Sequence, residues 1–197
     1  MPSAALREWR TIRSQRIDDL VDAHRAVGGA GAGRRTRTEQ INWALILRLA
    51  AEFQGFTRDL NTLGVTAFAE WSATGNIQLE VAIEALLTRG LKLDVGNATP
   101  AAIGEAFDRF GIRWWPALEI RDQRTAERQR QLDRLNRARN AIGHARLGEL
   151  ITLRNEGFPL NLDTVTRWRS ALNALCFTMD GTLAEHLGVF FNQPNPW

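Results

Sequence analysis

Between Val165 and Leu187 the apolar side chains Trp168, Leu172, Leu175, Met179 and Leu183 recur at every third or fourth residue. Steps of three and four keep side chains on one face of a helix with 3.6 residues per turn, whereas a strand repeats every two. The same rhythm opens the chain at Leu6, Trp9, Ile12, Ile17, Leu20 and Val21, and it returns at Ile41, Leu45, Leu49, Phe53, Phe56 and Leu60. No stretch alternates convincingly, so the pattern predicts an all-α domain, a bundle of five or six helices.

Punctuation divides these helices. Gly28 to Gly33 is glycine and alanine only, with no Lys-Ser/Thr ending and no preceding strand, and reads as a connector rather than a phosphate loop. Thr36 with Glu39 three residues later has the form of a capping box opening the second long helix, with a pause expected at Gly64. Thr74-Gly75-Asn76 reads as a turn, Ile77 to Arg89 as a helix closed by Gly90, and Thr99-Pro100 as the start of a helix ending near Gly111. Trp114-Trp115-Pro116 reads as a core knuckle. Charge is dense from Ile120 to Ala145, where one long helix is expected. One domain is expected over 1–191, with 192–197 as a loose tail.

Composition limits the chemistry. Lys92 is the only lysine among 25 basic side chains, and 22 acidic ones leave a net charge of +3. A GC-rich coding bias is the simplest source of the arginines, and the small net charge speaks against a broad sheath for duplex DNA. Cys176 stands alone among Leu172, Leu175, Phe177 and Met179, which predicts a buried thiol and excludes an intrachain disulfide. Three scattered histidines offer no metal motif. Met1 to Arg16 lacks the apolar core of a secretory signal, and apolar runs such as Trp43 to Leu47 are too short for a bilayer. A cytoplasmic protein with no membrane contact is expected.

Chemistry-bearing side chains gather in Asp133-Arg134-Leu135-Asn136-Arg137-Ala138-Arg139-Asn140-Ala141-Ile142-Gly143-His144-Ala145. A cation, an amide and a group that titrates near neutrality fall within about one and a half turns. Chance alone would produce Arg, Asn, three residues, His about 0.02 times in a chain of this composition. At about 100° per residue, Leu132, Leu135, Ala138, Ile142 and Ala145 form the core stripe, with Arg139 at its edge. Asn140 and His144 share the opposite face, with Arg137 alongside. Arg139 and His144 diverge by about 140°. They meet on one phosphate only if Arg139 wraps around on its stem, if the helix distorts near Gly143, or if a second subunit completes the site. Glu127, Asp133, Arg130, Arg134 and Arg137 fit spaced ion pairs on a solvated face.

The run Arg139-Asn140-Ala141-Ile142-Gly143-His144-Ala145 resembles the signature of HEPN domains, small all-α ribonucleases, and is most similar to the RiboL-PSP type of prokaryotic conflict systems. Glu52-Phe53-Gln54-Gly55-Phe56 resembles the acidic-aromatic helix of that family. The resemblance implies a metal-independent endoribonuclease without a cofactor, acting in a homodimer whose two motifs face a shared cleft, as a toxin or phage-defence effector with a protein antitoxin as partner. It implies Arg139, Asn140 and His144 as catalytic residues on an RNA substrate; Arg137, which shares the helix face of Asn140 and His144, and Glu52, otherwise an ordinary helix-face carboxylate, are supporting candidates. A histidine can take a proton from a ribose 2′-OH or give one to the leaving oxygen, and an arginine can stabilise charge on the phosphorane oxygens. The product would carry a 2′,3′-cyclic phosphate. His24, at the end of the first helix, and His186, expected on the surface of the last, read as structural. The rival readings are a non-catalytic helical interaction or dimerisation module and a helical DNA-binding regulator.

Overall fold

In the computed structural model, which describes residues 1–28, 36–194 and 196–197, every regular element is a helix. The chain runs α1 (Ala4–Glu8), a π-helical turn (Trp9–Arg13), α2 (Ser14–Gly28), α3 (Thr36–Ala73), α4 (Ile77–Thr88), α5 (Lys92–Val95), α6 (Pro100–Asp108), α7 (Trp114–Arg121), α8 (Thr125–Gly143), α9 (Leu147–Asn155) and α10 (Leu162–Phe191). The all-α expectation holds, but there are more helical segments than five or six, because short helices fill stretches expected to be loop. Gly29 to Gly33 of the glycine connector, and the Thr36 side chain of the expected capping box, lie outside the described residues.

Local chemistry sets the helix ends. Ser3, Asn76, Thr99 and Asn161 each accept a hydrogen bond from the backbone N–H three residues on, which satisfies a donor that the first turn leaves free. The expected single helix over 120–145 breaks after Arg121. There Asp122 accepts from the Arg124 N–H at 3.0 Å and pairs with Arg128, so its carboxylate competes with the helix ladder and restarts it as α8. The Arg128 guanidinium, with the Arg124 N–H, holds the Asp122 carboxyl below the usual carboxylate range.

The core wraps α3, whose 38 residues span about 57 Å. It packs against α2, α4, α8 and α10 along its length. No pause occurs at Gly64. A Cβ there would lie 2.9 Å from Leu183 Cδ2 and Phe110 Cζ, so the glycine admits two core side chains while the helix continues. The π turn, absent from any sequence expectation, directs Trp9 inward to meet Phe53 edge-on at 6.1 Å and to donate from Nε1 to Asn173 Oδ1 at 3.0 Å. Trp114 stacks on Phe107 at 4.2 Å, so the tryptophan knuckle is core as expected. Cys176 is buried, and burial pushes its thiol up. His186 is only partly exposed: a ring nitrogen lies 2.8 Å from the Phe110 carbonyl and ties α10 to the turn after α6. In the tail, Gln193 N donates to Gly188 O at 2.8 Å and Trp197 packs against the core.

One ionic cluster is buried within this packing. Glu52, 4% exposed, accepts from Arg13 at 2.9 Å and lies near Arg16 and Arg48 at 3.4 and 2.9 Å. Arg13 also reaches Asp59 at 2.6 Å and Glu8 at 3.0 Å, and its guanidinium lies flat on Gly55. Removing Glu52 leaves Arg13 paired with Asp59 and Glu8 and leaves Arg16 and Arg48 in contact with solvent, so the loss is that of charge-assisted hydrogen bonds rather than of a stranded ion. Glu52→Gln should therefore lower the unfolding free energy by about 1.5 kcal/mol in a denaturant titration. A change below about 0.5 kcal/mol would show that the cluster is not what joins α2 to α3.

Candidate functional site

The site is built around the last two turns of α8. Leu132, Leu135, Ala138 and Ala141 are buried, and Ile142 packs at the core edge, as the sequence stripe requires. Ala145 leaves the stripe. It lies beyond the helix, exposed, at φ 50°. Arg146 N donates to Ala141 O at 2.8 Å and Ala145 N to Ile142 O at 3.2 Å, a left-handed closure of the helix end. Such a position favours glycine, so Ala145 carries backbone strain. His144 is the last residue before this closure, at φ −114° and ψ 13°.

A strap made of α5 and the chain that follows it to Ala98 crosses from α3 to α8. From α3, Gln54 donates to the Gly96 carbonyl, and Arg58 donates to the Leu93 and Asp94 carbonyls at 2.6 and 2.8 Å. From α8, buried Asn136 donates to Ala98 O at 3.0 Å. Asn97 Nδ2 donates to Asn140 Oδ1 at 2.7 Å. Gln54, Arg58, Asp94, Val95, Gly96, Asn97 and Arg139 line a cleft of about 360 Å³ between these elements.

Within the motif, Arg139 Nη1 donates to Asn140 Oδ1 at 3.0 Å, and Arg139 has no carboxylate partner among the described residues. A guanidinium has no acceptor, so the carbonyl oxygen of Asn140 must face it. Asn97 must then present its own Nδ2 to that same oxygen, which leaves Asn140 Nδ2 and Asn97 Oδ1 without a partner among the described residues. Arg139 and Asn140 are thus brought together and oriented. His144 is not brought to them. Its imidazole is exposed, makes no side-chain hydrogen bond among the described residues, and does not line the cleft. The helix stays regular through Gly143, so no distortion turns the histidine toward Arg139.

The two supporting residues stand elsewhere. Arg137 donates from Nε to Glu149 Oε1 at 2.7 Å and through both terminal nitrogens to Glu156 at 3.0 Å. The polar face of α8 therefore has an intrachain partner, α9, which the sequence did not suggest. These bonds raise the Arg137 pKa and hold the Glu156 carboxyl below its usual range. Glu52 is two residues from Gln54, about 200° around α3, and faces the ionic cluster rather than the cleft. The sequence reading missed Arg58 and Asn97. The one local signal was the polar i, i+4 pair Gln54 and Arg58, which shares one face of α3. Among the described residues no three histidine, cysteine or carboxylate side chains are grouped to hold a metal ion, and no helix is long and apolar enough to cross a membrane. Compared with protein-family models, curated proteins and solved structures, the chain has no match.

The Arg137 ties make a pH-dependent prediction. A carboxyl whose folded pKa is lowered contributes stability above its unfolded pKa and loses it as pH falls through the folded value. Arg137→Ala should speed hydrogen exchange in α9 near neutrality while α3 and α10 stay protected. The difference from wild type should shrink as pH drops below the ordinary glutamate range. An α9 that exchanges equally in both proteins at neutral pH would show that α9 is held by other contacts.

Proposed function

We propose that this chain is a HEPN-like, metal-independent endoribonuclease acting in the cytoplasm as a toxin or phage-defence effector, restrained by a protein antitoxin. The observation that carries the reading is the state of Arg139: recessed in a cleft, oriented by Asn140, and neutralised by no carboxylate among the described residues. A guanidinium in that state suits a phosphodiester. In the reaction, the ribose 2′-oxygen bonds to phosphorus and the bond from phosphorus to the 5′-oxygen breaks. The 2′-OH loses a proton and the departing 5′-oxygen gains one, leaving a 2′,3′-cyclic phosphate and a 5′-OH. His144 moves one of these protons, and Arg139 faces the charge on the phosphorane. The nucleophile restricts cleavage to RNA.

The divergence of Arg139 and His144 supports a homodimer in which each site takes its arginine and histidine from different chains. A regular helix keeps the two side chains about 140° apart, and a second chain supplies the missing direction. Leu147 and Ile151, 65% and 58% exposed and four residues apart on α9, offer apolar surface just beyond His144 for that pairing. A second reading, a non-catalytic interaction module, draws on α4. That helix leaves Ile77, Val81 and Leu86 at 69%, 59% and 72% exposure, more apolar surface than a monomer helix commonly shows to water.

Two measurements separate these readings. Purified protein should cut single-stranded RNA in EDTA and leave 2′,3′-cyclic phosphate ends, and His144→Ala should lower the rate by about 100- to 10,000-fold with helical content intact. Ends bearing 5′-phosphate, or a variant within a few-fold of wild type, would remove His144 from the chemistry. Light scattering should find a dimer, and mixing Arg139→Ala with His144→Ala chains should restore part of the activity. A fully active monomer would reject the shared site.

A further inference from the structure

Arg58 enters the cleft from α3 beside Arg139, outside the sequence motif. Its Nε and Nη2 are spent on two strap carbonyls, and its Nη1 has no partner among the described residues. Arg139 spends only Nη1, on Asn140. Both side chains are half-buried. Other recessed arginines of the chain are matched by carboxylates: Arg13 by Glu52 and Asp59, Arg128 by Asp122, Arg169 by Asp18. Carbonyl and amide oxygens orient a guanidinium but do not neutralise it. Among the described residues Asp94 is the one carboxylate lining the cleft, against two cations there. Partly desolvating an arginine is costly without a counter-charge, and an anionic ligand would supply the one that the described residues do not.

We propose that Arg58 and Arg139 form a two-pronged site for the phosphates of a single-stranded RNA backbone, with Arg58 a substrate-binding residue. The identity of the polyanion rests on the ribonuclease reading. The strap fixes the direction of the Arg58 fork, because two of its nitrogens are pinned to consecutive carbonyls, so the third is presented in a set orientation. Asp94 acts against binding. Its side chain is exposed with no hydrogen-bond or ion-pair partner among the described residues, so it can be changed without disturbing the strap.

The test is the salt dependence of binding, read by fluorescence anisotropy with a 2′-O-methyl RNA oligonucleotide, which lacks the nucleophile and cannot be cut. Each phosphate contact on a single strand contributes about 0.7 to the slope of log affinity against log salt. Arg58→Gln and Arg139→Gln should each weaken binding and flatten that slope by about 0.7. Arg58→Lys should keep the slope and lose affinity, since the charge stays and the fork goes. Asp94→Asn should tighten binding with an unchanged melting temperature. The last variant guards against loss of fold, because it predicts a gain. Wild-type affinity and slope in Arg58→Gln, no gain in Asp94→Asn, or no binding by the wild type would each overturn the proposal. Arg58-dependent binding by a protein that leaves ordinary RNA intact would keep the phosphate site and sink the ribonuclease reading. Cleavage that persists unchanged in Arg58→Gln would do the reverse.

Discussion

The burial of α3 on several sides at once is the constraint from which the rest of the molecule follows. A helix of 38 residues enclosed by α2, α4, α8 and α10 has little room for charge or bulk that is not matched. Phe53, Phe56 and Leu60 fill its contact with the opening helices and with α10. Its buried carboxylate, Glu52, is tolerated because three arginines surround it. Gly55 and Gly64, poor helix formers, are kept where a guanidinium and two core side chains press against the backbone. The π turn at Trp9–Arg13 serves the same enclosure, since one side of that turn fills the aromatic core and the other delivers Arg13 to the ionic cluster.

The other side of α3 makes the candidate site. Gln54 and Arg58 pin α5 and the chain that follows it, and that chain in turn meets Asn136 and Asn140 of α8. On its α3 side the cleft is therefore bounded by two side chains committed to backbone carbonyls, which fixes their direction. A mobile surface arginine without a partner is simply solvated, while two that line one recess, Arg58 with its fork fixed by backbone carbonyls, direct a field at one place. His144 shares none of this support. It sits at a strained helix end, exposed, in reach of whatever packs against α9.

The motif run shows where local reading succeeds and where it stops. That α8 would bury Leu132, Leu135 and Ala138 and keep Arg139 at the edge follows from angular spacing alone, and so does the divergence of Arg139 from His144. Arg137 stood in sequence as a supporting cation on the face of Asn140 and His144. The structure separates them, because α9 returns two glutamates to Arg137 and nothing acidic to Arg139. Glu52 looked like a site carboxylate, yet it faces away from the cleft that its neighbour Gln54 lines.

By itself the sequence determined the helical class, the N-cap at Thr99, the turn at Thr74–Asn76, the burial of Trp9, Trp114, Trp168 and Cys176, and the company of Arg139 with Asn140. All of these depend on interactions within about one or two helical turns, or on a periodicity that any local window displays. Tertiary structure alone decided which arginines are neutralised, that Arg58 and Asn97 join Arg139, that His186 ties two helices together, and that Gly64 marks a contact rather than a break. Those outcomes depend on which distant carboxylate, carbonyl or ring is delivered to a given side chain, and no local pattern encodes a partner that arrives from another helix.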